Sequence, residues 1–202
     1  LLTKKLGLCS GCGACTVICP HNAVKMTRMP DINIPQISEI DCTDCRMCLS
    51  ICPGYDNYQR ILTKNRDNSD EYDLAIKKAY ICHATDSTIR SESSSGGYVT
   101  ALLTALLETK NISGVITLRP DATELFEYTG GLIKEVKQLK RAQGSVYHPV
   151  STCEGLREVI GLEGQFAFVG KPCEVHAARL LISKEKGLQG KVPLLISVFC
   201  HH

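Results

Sequence analysis

From about residue 73 to the end of the chain, hydrophobic and polar positions follow two alternating rhythms. Short continuous apolar runs are typical of buried strands, whereas apolar residues that recur every three or four positions indicate an amphipathic helix. Strands and helices that alternate in this way favour an α/β domain. The pattern predicts strands over 78–82, 114–118, 166–170 and 192–199, and helices over 98–108, 154–160 and 173–183.

The first 64 residues contain less apolar sequence and follow an internal repeat. Strand-like stretches over 23–26 and 35–40 belong to the two halves of this repeat, which predicts the ferredoxin βαββαβ arrangement. So short a segment buries little apolar surface, and we expect bound cofactors to stabilise it. A polar stretch over 65–73 marks a boundary. The sequence therefore predicts an α+β protein, with a ferredoxin-like module over 1–64 and an α/β domain over 73–202.

Cysteines define the repeat. Eight of the twelve cysteines lie within the first 52 residues, in two runs with the same spacing. Each run reads C-x2-C-x2-C-x3-C-P, the spacing by which bacterial ferredoxins hold two [4Fe–4S] clusters. The first run consists of Cys9, Cys12, Cys15 and Cys19, followed by Pro20, and the second of Cys42, Cys45, Cys48 and Cys52, followed by Pro53.

The fourth cysteine of each run is expected to point away from its own loop and to bind the cluster of the other loop. This predicts one cluster on Cys9, Cys12, Cys15 and Cys52, and a second on Cys42, Cys45, Cys48 and Cys19. Structural zinc is the alternative. A zinc site uses two C-x2-C pairs, which does not explain two quartets that each end in Cys-Pro.

The residues between the ligands differ between the two loops. Gly11 and Gly13 in the first loop are expected to keep side chains off the cluster and to leave backbone N–H groups free for its sulfurs. Asp44 and Arg46 stand at the equivalent positions of the second loop. These charges are expected to give the second cluster a different potential.

Composition limits the classes of partner. The net charge is +2 and the pI is about 8.0, which indicates neither nucleic acid nor a membrane surface as a partner. The longest apolar stretch, 99–107, is too short to span a bilayer. Thiolate ligation of iron requires a reducing compartment, so the sequence predicts a cytoplasmic protein. Because the chain starts without Met and stops abruptly, we expect a fragment that is truncated at its C-terminus.

Two segments of the α/β domain are candidates for ligand binding. Ser94, Ser95, Gly96 and Gly97 precede a predicted helix, where free N–H groups suit a phosphate, although a simple helix cap explains them equally well. Gly170, Lys171, Pro172 and Cys173 form a strand-to-helix turn, where open α/β sheets bind ligands. The helix N-terminus and the neighbouring lysine are expected to lower the pKa of the cysteine thiol. The alternative is a stiff turn with a cysteine in the core.

Taken together, these segments resemble the family of beta subunits found in coenzyme F420-reducing hydrogenases and F420-dependent formate dehydrogenases. The resemblance rests on the cysteine repeat and on the ordered segments 94–103, 144–147, 168–175 and 196–201. It implies that the α/β domain binds FAD and exchanges electrons with the clusters. The implied cofactor-binding residues are Ser94, Ser95, Gly96, Gly97, Gly144, Ser145, Gly170, Pro172 and Cys173.

This resemblance favours an iron–sulfur flavoprotein oxidoreductase. F420 or a nicotinamide passes two electrons at once and a cluster passes one, so a flavin belongs between them. The clusters would then lead to a redox partner protein or subunit. No catalytic residue is predicted, because no acid or base is needed.

Two other functions stay open at this stage. The first is a ferredoxin-type electron-transfer subunit without flavin, and the second is a redox or iron sensor, for which the balanced charge offers no binding surface. The remaining cysteines are interpreted as separate thiols, with a third cluster as the alternative that no spacing supports. They are Cys82, Cys153, Cys173 and Cys200.

Overall fold

The computed structural model describes residues 6–63, 78–124 and 127–200, so the predicted boundary over 65–73 lies outside the described residues. The helices are α1 (Ala14–Ile18), α2 (Met47–Ser50), α3 (Pro53–Thr63), α4 (Ser87–Glu92), α5 (Tyr98–Glu108), α6 (Val136–Arg141), a 3-10 helix (Thr152–Val159) and α7 (Pro172–Lys184). The strands are β1 (Val24–Arg28), β2 (Asn33–Ile37), β3 (Gly114–Pro120), β4 (Tyr128–Ile133), β5 (Phe166–Gly170) and β6 (Leu194–Ser197).

The first module contains one antiparallel strand pair, in which Val24 of β1 lies opposite Ile37 of β2. Both predicted strand-like stretches are therefore confirmed, with shifted ends. The full βαββαβ pattern is wrong for the residues that the structure describes, because helix α3 follows the second cysteine run. Pro53 suits the first position of a helix, and Arg60 pairs with Asp56 one turn earlier at 2.9 Å.

The second module contains a four-stranded sheet in the order β4-β3-β5-β6. Strand β5 pairs in parallel with β3 and β6, and β4 runs antiparallel at one edge. The predicted strands at 114–118, 166–170 and 192–199 are confirmed. The strand predicted at 78–82 is wrong, because this segment pairs with neither described sheet and leaves Tyr80 and Ile81 exposed.

Both faces of this sheet are covered. Along β5, Phe166 and Phe168 pack on one face with the 3-10 helix and α7, whereas Ala167 and Val169 pack on the other face with α5 and α6. A strand that is buried on both faces is apolar at every position, and this explains the continuous run Phe166–Gly170. The carboxyl end of β5 therefore lies between two layers of helices.

The first module and the sheet share one apolar core. Cys12, Ile18 and Ile51 belong to the same buried cluster as Leu156 and Phe168. The proposed division into 1–64 and 73–202 stays a prediction, but the two segments are packed together through these side chains. Within the described ranges, no helix has the length and apolar character needed to cross a membrane.

Candidate functional site

The first cysteine loop forms one wall of a small cavity. Its lining includes Cys9, Cys12, Cys15 and, from the second run, Cys48 and Cys52. Cys15 lies in α1, and Cys52 lies between α2 and α3. Packing of α1 against α2 brings the fourth cysteine of the second run to the loop of the first. The structure thus brings together the four residues predicted to bind one cluster, with Cys48 of the other predicted set beside them. Their ligand role stays a prediction.

The residues around this cavity fit a [4Fe–4S] cluster. Its lining supplies five thiols, those of the four predicted ligands and that of Cys48, together with the hydroxyl of Ser10. Hydrogen bonds to the sulfurs are a normal part of iron–sulfur sites, and the Ser10 hydroxyl, which already interacts with the Cys12 and Cys173 thiols, is placed to donate one. Among all the described residues, these cysteines included, no group of three His, Cys, Asp or Glu side chains is arranged to hold a single metal ion.

The second cysteine loop is open to solvent. Cys42 and Cys45 are exposed, whereas Cys48 and Cys19 are half-buried. Cys48 interacts electrostatically with Cys19 and Cys45, so the predicted fourth ligand again lies beside the other loop. The Cys19 sulfur accepts a hydrogen bond from the Ala23 N–H at 3.3 Å. The second loop therefore brings Cys45, Cys48 and Cys19 near one another, with Cys42 and Cys45 exposed at the surface.

The first loop, in contrast, docks onto the 3-10 helix of the second module. The Cys153 N–H donates to the Cys12 carbonyl at 3.0 Å, and the Ser151 hydroxyl donates to the Gly11 carbonyl at 2.9 Å. Arg157 donates to the Asn22 side chain at 2.7 Å and also to the Thr16 carbonyl. These bonds fix the backbone of the first loop against the α/β domain.

Burial changes the acidity of the predicted ligands. Removal from water raises the pKa of the Cys9, Cys15 and Cys48 thiols, and neighbouring cysteines raise it further. Cys12 differs, because a hydrogen bond from the Cys153 thiol lowers its pKa and outweighs burial. The second module thus acts directly on a predicted ligand of the first.

Glu174 stabilises the contact between the first cysteine loop and the 3-10 helix. Its carboxylate is almost completely buried and accepts hydrogen bonds from the Lys171 N–H at 2.8 Å and the Thr152 hydroxyl at 3.0 Å. The Lys171 ammonium lies 3.5 Å from the same carboxylate. Glu174 therefore caps α7 and fixes the start of the 3-10 helix that carries Cys153.

Replacement of Glu174 by glutamine is expected to lower the free energy of unfolding by about 2 kcal/mol, because two buried donors lose a charged acceptor. Urea unfolding of the cluster-loaded protein measures this effect. The exposed residue Glu163 provides the matched control, since its replacement by glutamine should be nearly neutral. Equal stability of the two variants would contradict the supporting role of Glu174.

The residues implied as flavin contacts form two groups. In the first group, the segments around Ser94 and Gly144 meet at the surface. The Ser145 hydroxyl donates to the Ser94 hydroxyl at 2.9 Å, and Gln143 donates to Glu92 at 2.6 Å. Ser95 and Gly96 continue the first of these segments, and Gly97 is the N-cap of α5.

Gly170, Pro172 and Cys173 form the second group, at the carboxyl end of β5. Val99 in the first turn of α5 and Val169 near the end of β5 belong to the same apolar cluster, which connects the two groups through the core. No hydrogen bond among the described residues joins them. The two groups therefore do not form one closed pocket.

Cys173 lies beside the first cysteine loop, where it interacts with Ser10 and Cys12. The predicted lowering of its pKa is wrong. Burial and the nearby Glu174 carboxylate raise the pKa of this thiol, and they outweigh the effect of Lys171. The turn at the end of β5 thus connects the second group of implied flavin contacts with the candidate cluster cavity.

The sequence analysis assigned no role to Glu174 and interpreted Cys153 only as one of four separate thiols. Glu174 could have been found, because a glutamate at the third position of a helix is typical of a capping box. Cys153 has no such signal, since its spacing to other cysteines is irregular. It is buried behind Cys12, whereas Cys82 and Cys200 are exposed.

Comparison with known families agrees with this arrangement. Residues 8–55 match a 4Fe-4S dicluster domain. Residues 79–157 match the N-terminal part of the coenzyme F420 hydrogenase/dehydrogenase beta subunit, and residues 164–202 match its C-terminal part. The chain belongs to this family of beta subunits. The predicted resemblance is confirmed, and so is the iron–sulfur character of the first module.

Individual relatives within this family extend beyond the chain. A subunit of the F(420)H(2) dehydrogenase of Methanosarcina mazei is 26% identical over 96% of the chain, which covers 55% of that protein. Coenzyme F420-dependent sulfite reductase of Methanocaldococcus jannaschii is 28% identical over 96% of the chain, which covers 30% of that protein. The chain thus spans about half or less of the length of these relatives.

A solved structure supports the fold. A chain of the F420-reducing [NiFe] hydrogenase complex from Methanosarcina barkeri is similar to this protein with a TM-score of 0.52 and 23% identity. The match covers 58% of this chain and 42% of the other. This likeness concerns the fold alone.

Proposed function

We propose that the protein is an iron–sulfur flavoprotein oxidoreductase that passes electrons between a two-electron carrier, a flavin and two [4Fe–4S] clusters. The observation that best supports this proposal is the docking of the first cysteine loop on the α/β domain, next to the turn at the end of β5. Electron transfer requires a short and fixed distance between redox groups. This contact would hold the first cluster and the flavin at fixed positions relative to each other. The relatives named above supply the F420 context for the carrier, with a nicotinamide as the other possibility.

The first cluster would be held by Cys9, Cys12, Cys15 and Cys52, and the second by Cys42, Cys45, Cys48 and Cys19. The shared cavity supports the first assignment by placing Cys52 with Cys9, Cys12 and Cys15. Cys48 also lines this cavity, and its closeness to Cys19 and Cys45 supports its place in the second set. Reduced thiols of this kind suit the cytoplasm, where we place the protein.

FAD would lie between the two groups of implied contacts, near the start of α5 and the carboxyl end of β5. The first turn of α5 offers backbone N–H groups to a phosphate, and the serine hydroxyls at 94 and 145 offer further donors. Bound there, the flavin would supply the exchange between two-electron and one-electron steps. The residues of the chain bind and orient it next to the first loop.

The second cysteine loop is the proposed exit to a partner. Cys42, Cys45 and Met47 are exposed, and so is Ile40 just before the loop. An iron–sulfur protein or subunit that docks here would approach the second cluster directly. The two loops then have different tasks: the first faces the flavin, and the second faces the partner.

One observation favours a ferredoxin-type electron-transfer subunit without flavin. The hydroxyls of Ser94 and Ser145 bond to each other on an open surface, and such a pair needs no ligand. Anaerobic purification followed by iron, sulfide and flavin analysis separates the two functions. Iron and sulfide without flavin, even after reconstitution of a longer chain, would exclude the flavoprotein.

The carrier is identified by cluster reduction. Reduced F420, NADH and reduced ferredoxin are added separately to the reconstituted protein, and bleaching of the cluster absorbance is followed. We expect a two-electron carrier to bleach the clusters only when flavin is bound. Bleaching by reduced ferredoxin alone would contradict the proposed link to F420 or a nicotinamide.

Joint replacement of Ser94 and Ser145 by alanine is expected to weaken flavin binding about tenfold, because removal of hydrogen-bond donors costs about 1.4 kcal/mol. Flavin fluorescence titration measures the affinity. Stability should be unchanged, since the two hydroxyls are exposed and pair with each other. Ser183→Ala on α7, which removes another exposed hydroxyl, serves as the control. Unchanged affinity in the double variant would remove these serines from the flavin site.

A further inference from the structure

The Cys153 side chain lies directly behind the first cysteine loop and belongs to neither predicted ligand set. It is fully buried. Its backbone N–H donates to the Cys12 carbonyl at 3.0 Å, which fixes Cys153 next to this predicted ligand. Its thiol donates a hydrogen bond to the Glu174 carbonyl at 3.4 Å, and its side chain also interacts with that of Cys12.

Cys153 is a thiol that no predicted ligand set uses, and an ordinary cysteine thiol is protonated at neutral pH. A protonated thiol has one hydrogen to donate. The Glu174 carbonyl is a neutral acceptor, whereas the sulfur of a cluster-bound Cys12 carries negative charge. Because hydrogen bonds to charged acceptors are about twice as strong, the proton is directed to Cys12 when the cluster is bound.

We propose that the Cys153 thiol donates a hydrogen bond to the Cys12 sulfur and thereby raises the reduction potential of the first cluster. This inference rests on the proposed ligation of that cluster by Cys12. Reduction adds negative charge to the cluster and its thiolates, so a donor beside one thiolate stabilises the reduced form more than the oxidised form. Cys153 is thus a positioning and tuning residue rather than a ligand.

The second loop has no counterpart of this donor among the described residues. Cys45, which matches Cys12 in the repeat, is exposed, and no described residue of the second module bonds to its backbone. The same ligand spacing is therefore placed in two different surroundings. The α/β domain acts on one cluster through Cys153 and leaves the other to solvent.

The test is a redox titration of the reconstituted, full-length chain, followed by electron paramagnetic resonance. In Cys153→Ala, one of the two cluster signals should shift to a more negative potential while the other stays in place as an internal reference. A tenfold change in the equilibrium between oxidised and reduced cluster corresponds to about 59 mV for one electron. Cys153→Ser retains a donor and should shift the signal less. The exposed Cys200 is the matched control, and its replacement by alanine should move neither signal.

A second measurement separates the hydrogen bond from a general loosening of the core. Electron–nuclear double resonance of protein assembled in H2O and in D2O detects exchangeable protons next to the reduced cluster. One such proton coupling should be lost in Cys153→Ala and retained in Cys153→Ser.

Failure of this inference and failure of the proposed function give different results. Assembly of both clusters with unchanged potentials in Cys153→Ala would overturn this inference and leave the proposed function intact. A parent protein without any reduced-cluster signal would overturn both. Equal shifts of the two signals would also overturn the inference, because only one cluster lies beside Cys153.

Discussion

Cys52→Ala is expected to remove the first cluster and to leave the second in place, although Cys52 belongs to the second cysteine run. The reason is geometric: Cys52 lines the cavity of the first loop together with Cys9, Cys12 and Cys15. Cys48 lines it too, but its neighbours Cys19 and Cys45 assign it to the second cluster. Loss of one of four thiolates should prevent stable assembly there. The iron content should fall by about half, since each cluster holds the same number of iron atoms. Iron analysis and the reduced-state resonance spectrum measure the result.

Matched variants assign the two cluster signals without any reference spectrum. The signal that remains in Cys52→Ala should equal the one that remains in Cys9→Ala. Cys48→Ala, only four positions away, should instead resemble Cys42→Ala. If Cys52→Ala and Cys48→Ala lose the same cluster, the crossed ligation is wrong and each run serves its own cluster.

Gly13→Ala is expected to lower the free energy of unfolding by about 3 kcal/mol, through two effects that add. Gly13 has φ +82°, and a side chain in this left-handed region costs about 1–2 kcal/mol. A Cβ atom there would also lie 2.7 Å from the Glu154 side chain and 2.8 Å from Ser151. The loop would have to move away from the 3-10 helix. This movement would also take the predicted first cluster away from the α/β domain.

Arg46 provides the control, because it stands at the equivalent position of the second loop and already adopts a left-handed φ of 61°. Its side chain is exposed and pairs only loosely with Asp44, at 3.6 Å. Arg46→Ala should therefore change stability by less than about 0.5 kcal/mol. Urea unfolding under anaerobic conditions compares the two variants. A penalty for Gly13→Ala as small as that for Arg46→Ala would contradict the docking of the first loop.

The elements that the sequence predicts well are those whose side chains repeat with one clear period. Strand β5 and helix α5 have the predicted bounds, because burial on both sides makes β5 continuously apolar and α5 is long enough to show its period. The failure at 78–82 has the opposite cause. Tyr80 and Ile81 are residues that favour strands, but no neighbouring strand pairs with them in the described structure.

Strand β4 could not be predicted, because Gly130 and Gly131 in its centre are typical of a turn. The structure gives a different reason for one of them. A Cβ atom on Gly130 would lie 2.5 Å from the Ser151 carbonyl oxygen, so this glycine lets the start of the 3-10 helix lie directly on the strand. A long-range contact of this kind leaves no local pattern in the sequence.

The candidate site also combines features that depend on local sequence with features that depend on long-range contacts. The spacing of the cysteines predicts the two ligand sets, because ligation depends on residues that are close in sequence. The role of Gly13 was interpreted as keeping side chains off the cluster, and the structure adds a second role in packing against Ser151 and Glu154. The pKa of Cys173 could not be predicted, since it depends on burial and on the capping carboxylate of Glu174.

The shared core has a consequence for how the protein matures. Cys12, Ile18 and Ile51 pack among side chains of the α/β domain, so the first loop must be in its final shape before that core is complete. A cofactor that binds only the folded chain stabilises it by mass action. Iron supply would then control how much of this protein survives proteolysis, and the domain without cysteine repeats would share that dependence.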